Sequence, residues 1–183
     1  MNAMLSVADL WLPIILSAVA VFLAGAMAWM VLPHHRKDWA MLPSDDALAA
    51  IGNVPPGQYM FPGPGPSEHT DPGSAERRRG GPHGALYVWP GPPSMGAKMA
   101  LNFLFNLTVS VFVAYLTSRA LPPGASFGEV LRIAGTAGVM AFCFGGIPHG
   151  IWFGRSSRSM AMDFMDGAVE GLIVGVIFGA LWP

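Results

Sequence analysis

Charge is scarce in this chain of 183 residues: ten Lys and Arg with eleven Asp and Glu make only 11% of it, against roughly 25% in soluble chains. With 52% of the residues hydrophobic, a water-soluble domain of ordinary composition is excluded. The net charge of -1 offers no basic surface for phosphates, so no nucleic-acid partner is expected. Cysteine is almost absent. Cys143 stands alone, which excludes an intrachain disulfide and any paired Cys-x-x-Cys zinc site. Also missing are a nucleophile elbow, a phosphate-binding loop and an HExxH pattern. No catalytic residue and no metal ligand is therefore assigned, and the chain is not read as an enzyme.

What the chain has instead is long uncharged runs. Leu10 to Leu32 holds 23 consecutive uncharged residues, about 34 Å of helix at about 1.5 Å per residue, enough for a hydrocarbon core of about 30 Å. Similar runs lie between Lys98 and Arg119 and between Arg132 and Arg155. A fourth, Gly167 to Trp182, contains Glu170 and reaches spanning length only if its helix extends back to a Ser159 cap. The expected fold is an all-α transmembrane bundle with helices at about 10–32, 97–118, 131–152 and 160–182. The first run lacks the basic n-region of a signal peptide and reads as a retained anchor.

Eight of the ten basic residues fall in the first and third loops: Arg36, Lys37, Arg77, Arg78, Arg79, Lys98, Arg155 and Arg158. The positive-inside rule then places loops 33–96 and 154–162 in the cytoplasm and both termini outside. Within the first loop, Ser44 to Ile51 reads as a short helix, with Ser44 as its N-cap, Asp45 and Asp46 in the first turn and Gly52 as its stop. Residues 55–93 are dense in Pro and Gly, as in Phe61-Pro62-Gly63-Pro64-Gly65-Pro66. They are expected to sustain neither helix nor sheet ladder, and read either as a meander laid on a partner or as disordered chain.

The last helix carries the two most specific patterns. Gly167, Gly171, Gly175 and Gly179 recur every four residues, a ridge that lets another backbone approach closely. It serves either packing inside the bundle or a subunit interface. Asn102, Asn106 and Ser110 form a row of the same spacing on the second helix, the expected facing surface for the glycines. Asp163, Asp166 and Glu170 share a single helical face, and an acid at membrane depth should face a partner or water. They read either as a cation or proton site or as ion-pair partners of Arg155 and Arg158; a basic partner for Glu170 would decide between the two. No cofactor is predicted, and a haem or pigment would have only His149, His34 or His35 to contact. Pro148 should bend or end the third helix.

Two stretches carry a resemblance. Trp11-Leu12-Pro13-Ile14 running into Leu32-Pro33-His34-His35-Arg36, Asp38 and Leu42-Pro43-Ser44-Asp45-Asp46-Ala47, together with Ile151-Trp152-Phe153-Gly154-Arg155, Asp166-Gly167 and Phe178-Gly179-Ala180-Leu181-Trp182-Pro183, resemble a group of small bacterial integral membrane proteins of uncharacterised activity. That resemblance implies a bacterial cytoplasmic (inner) membrane and a compact helical bundle, and carries no catalytic residue across. The leading functional expectation is a non-catalytic accessory or scaffolding subunit of a larger membrane complex, respiratory or photosynthetic, partnered by the lipid bilayer and other membrane subunits. The alternative is a small proton or cation conductor using the acidic face of the last helix.

Overall fold

The computed structural model describes residues 5–62, 76 and 79–183. The Gly63–Pro66 run and the Arg77–Arg78 pair lie outside the described residues. The chain divides into two compact units: residues 1–39, 94–150 and 155–183 form the first, 40–93 and 151–154 the second.

The first unit is helical, and serines start its helices. The Ser6 side chain accepts from the Asp9 amide while Asp9 accepts from the Ser6 amide, opening a single 3-10 turn that leads into α1, Trp11–Met30. Ser94 caps α3, Met95–Ala120, and a reciprocal Ser126–Glu129 box opens α4, Phe127–Cys143. α4 therefore begins several residues ahead of the expected 131. It stops at Cys143, and a short α5, Ile147–Trp152, continues after Gly145-Gly146. Two consecutive glycines and the missing amide of Pro148 account for that break. The last long helix, α6, spans Ser157–Ala180 and is capped by Ser156, not by Ser159 as the sequence suggested.

Three helical stretches, Val7–Met30, Met95–Ala120 and Phe127–Trp152, are long and apolar enough to cross a membrane. α6 has comparable length, but Arg158, Asp163, Asp166 and Glu170 interrupt its apolar surface.

The glycine ridge of α6 faces α4, and this corrects the expected pairing with the row on α3. A Cβ on Gly171 would lie 2.7 Å from the Val139 Cα, one on Gly175 2.7 Å from the Gly135 Cα, and one on Gly167 2.9 Å from the Phe142 carbonyl carbon. Gly138 of α4 approaches Gly171 equally closely. Small residues on both helices allow a backbone separation that Asn side chains on α3 would prevent. The α3 row packs elsewhere: Asn106 and Ser110 are buried, Asn102 is exposed, and the Ser110 hydroxyl donates to the carbonyl of Asn106 in its own helix. α3 contacts α1 and α4.

The apolar core gathers toward one end of this unit. Leu10, Ile14 and Val21 of α1 and the turn before it meet Val109, Val113 and Ala114 of α3, Val130 and Ala134 of α4, and Val174 and Phe178 of α6. At that end the α3–α4 turn is tied to the end of α6. The Trp182 indole donates to the Pro122 carbonyl at 3.0 Å, and the Gly124 amide donates to the Pro183 carbonyl at 2.6 Å. Gly124 takes φ +76 there, a conformation open to glycine at little cost.

In the second unit, α2 spans Asp45–Gly52 under a Ser44 cap. It is followed by two antiparallel strands, β1 (Gly57–Phe61) and β2 (Gly84–Val88), paired from Gly57 opposite Val88 to Phe61 opposite Gly84. The sequence reading of residues 55–93 as unable to hold a ladder is thereby corrected. Prolines 55, 56, 62, 90, 92 and 93 bracket the strands without entering them, so no ladder amide is lost. The Phe61 ring lies directly over Gly84, covering the position where that strand has no side chain of its own.

Candidate functional site

Away from the apolar core, the first unit has a half-open cavity of about 300 Å³ lined by Trp29, Phe142, Cys143, Gly146, Ile147, Arg155, Met160, Asp163, Asp166, Gly167 and Glu170. α6 supplies its acids. The spacing of Asp163, Asp166 and Glu170 puts them on the side of α6 that meets the end of α1 and the broken end of α4.

Just beyond α1, residues 33–38 turn back on themselves through the Arg36 amide to the Pro33 carbonyl and the Asp38 amide to the His35 carbonyl. The turn brings two adjacent imidazoles onto Asp166. His34 Nε2 lies 3.1 Å from each Asp166 carboxylate oxygen, and His35 Nε2 lies 2.7 Å from Oδ2. His35 Nδ1 is 2.6 Å from Asp38 Oδ2. Arg158 pairs with Asp38 Oδ1 and donates to the His34 carbonyl at 2.6 Å. The Trp29 indole stacks on His35, ring centres 4.0 Å apart and planes 6° from parallel. His35 and Asp38 side chains are 3% and 1% exposed, so this is a buried lock between the α1 exit and the start of α6.

Both ring nitrogens of His35 face carboxylates. Carboxylates only accept, so with both acids ionised His35 is an imidazolium donating at Nδ1 and Nε2. Burial lowers its pKa, but the hydrogen bonds and charges of Asp166 and Asp38 outweigh this, and His35 titrates above its ordinary 6.5. The hydrogen bond from His35, opposed by burial and aided by Arg158 and Arg155, holds Asp38 below its ordinary 3.8. The His35 contribution to stability is complete below 6.5 and is lost as pH rises through the raised value. The Asp38 contribution is complete above 3.8 and is lost as pH falls through the lowered value. In metal-free protein, the gap in thermal stability between the natural chain and His35→Gln should therefore be widest between those limits and narrow on both sides. Unfolding in detergent across a pH series measures it, and a gap flat with pH would refute the imidazolium.

Of the residues singled out from the sequence, Arg155 meets Asp163 at 2.6 Å and also donates to Ser159 at 2.7 Å. Arg158 goes to Asp38 and not to the acids of α6. Glu170 differs from its neighbours. It forms no ion pair and no hydrogen bond among the described residues, and its carboxylate sits beside Gly25 of α1, where a Cβ would lie 3.1 Å from Oε1. His149 lies exposed on α5, outside the cavity lining. The sequence reading gave no site role to Gly25, Trp29 or Asp38. Asp38, three residues after His35 as a turn would place it, was the one available signal.

No protein-family model matches the chain, and no curated protein or solved structure matches it.

Proposed function

We propose that this chain is a small proton or cation conductor of a bacterial inner membrane, with the acidic face of α6 as its ion path. The observation that supports this reading is Glu170. Asp38, Asp163 and Asp166 each have a basic partner, while Glu170 borders the cavity with none. An acid held at membrane depth without a counter-charge is costly and is a mark of ion or proton handling. In this reading α6 is a fourth crossing of 24 residues, about 36 Å at about 1.5 Å per residue, whose charges face the cavity and not lipid. The first and third loops lie on the cytoplasmic side and both termini outside, so the cavity takes its ion from the cytoplasmic face. The apolar end of the bundle closes the far side and must part for an ion to pass.

Flux into vesicles reconstituted with the purified chain tests the reading. Glu170→Gln should cut proton or cation flux at least tenfold. A natural protein whose vesicles leak no faster than empty ones would overturn it.

A second reading, the accessory subunit, draws support from the second unit. Tyr59, Phe61, Tyr87, Trp89 and Trp152 are exposed there, and Met60, Phe61, Pro62, His83, Trp152 and Phe153 line an apolar cleft of about 390 Å³. Mild extraction from native membranes followed by identification of co-migrating proteins tests it; a chain that runs alone would count against it.

A further inference from the structure

We infer that His34, His35 and Asp166 form a binding site for a divalent first-row transition-metal cation. One donor atom from each of His34, His35 and Asp166 lies within 4.8 Å of the others, though 131 and 132 residues separate the histidines from the acid. Around a metal with bonds of about 2.0–2.1 Å, donors sit about 2.9 Å apart at right angles and about 3.3 Å apart in a tetrahedron. The present His to Asp distances of 2.7 and 3.1 Å are within a few tenths of an ångström of the right-angle spacing, so a cation can replace the shared protons with a modest adjustment of the two imidazoles.

The supporting contacts are those a metal-bound histidine needs. Asp38 accepts from His35 Nδ1 at 2.6 Å, which leaves the Nε2 lone pair for the metal once its proton departs, and Arg158 fixes Asp38 in turn. Trp29 stacked on the ring sets its plane. The charges also fit: two neutral imidazoles and one carboxylate leave a bound divalent cation with net charge +1 beside the anionic Asp38. Two nitrogens and one oxygen suit zinc, cobalt, nickel or ferrous iron, not calcium or magnesium. Three protein donors leave a coordination position open, as in sites that exchange their occupant or bind water. Asp166 also lines the cavity, so an ion leaving the site enters the space before Glu170. Naming this metal class as the conducted ion rests on the conduction reading above; binding itself does not.

The test uses the full chain in mild detergent, stripped with a chelator and dialysed against Zn²⁺, with Co²⁺ as a visible-light probe. One Zn²⁺ per chain should be retained, and Co²⁺ should give ligand-field bands that Zn²⁺ displaces. His35→Ala and Asp166→Asn should weaken binding at least about 100-fold and Asp38→Asn about 10- to 100-fold, while His149→Ala leaves it unchanged. Should the buried variants fail to fold, His34→Gln, at a partly exposed position, carries the comparison. A folded natural chain that retains no Zn²⁺, or retains it equally with His34→Gln, overturns the site. Zn²⁺ bound without Zn²⁺ entry into vesicles upholds the site and overturns the metal as the conducted ion. Proton or potassium flux without bound Zn²⁺ upholds conduction and overturns the site.

Discussion

Replacing Gly171 with alanine is expected to destabilise the first unit by at least about 3 kcal/mol, the upper end of what overpacked cores lose. The added methyl would meet the backbone of Val139, with its Cα at 2.7 Å and its amide nitrogen nearer still. Backbone cannot rotate out of the way as a side-chain tip can. α4 and α6 must then move apart along their whole contact, giving up the dispersion that holds helices together where lipid supplies no hydrophobic drive. Gly128, on α4 itself, is the control: nothing lies within 4 Å of a Cβ there, and alanine should be neutral or stabilising by up to about 1 kcal/mol. The recovered fraction of monodisperse protein and its unfolding temperature decide the matter. If both alanine variants behave alike, the close α4–α6 contact is not what holds the unit together.

Glu170→Leu should separate stability from activity. In the conduction reading the Glu170 carboxylate lies at membrane depth without an ion pair among the described residues, where a charged carboxylate costs roughly 2.5–3.5 kcal/mol on insertion scales. Leucine removes that cost, so the variant should unfold at the same temperature as the natural chain or higher, while its ion flux falls to that of empty vesicles. Filling the space beside Gly25 adds to the block. A variant that is both less stable and still conducting would place Glu170 among ordinary structural groups and remove the support for an ion path.

Helix starts were readable where a serine stands before an apolar run, as at Ser44, but competing serines defeat the method: Ser156 and Ser159 both qualify before α6, and only tertiary packing selects Ser156. The hairpin was missed because composition was averaged over 55–93, whereas the strands occupy two proline-free pentapeptides inside it. The partner of the glycine ridge was assigned wrongly for a related reason. Three helices carry rows of small residues, and spacing alone says that each can be approached closely without saying by which. The acidic face of α6 was visible from its spacing, but its partners were not. His34 and His35 stood out only as the contacts a haem or pigment would have, since nothing local ties them to an acid more than a hundred residues away.

The position of the apolar residues at the end of the first unit also bears on the energy economy of the cell. Val113, Val130, Val174 and Phe178 are fully or almost fully buried, and the hydroxyls of Ser110 and Thr117 beside them are spent on carbonyls of their own helix. Under the conduction proposed above, such packing would act as an electrical barrier, letting the protein sit in an energised membrane without short-circuiting its potential. Charge would then pass only with a rearrangement of the bundle, at the turnover of a carrier and not at the current of an open pore.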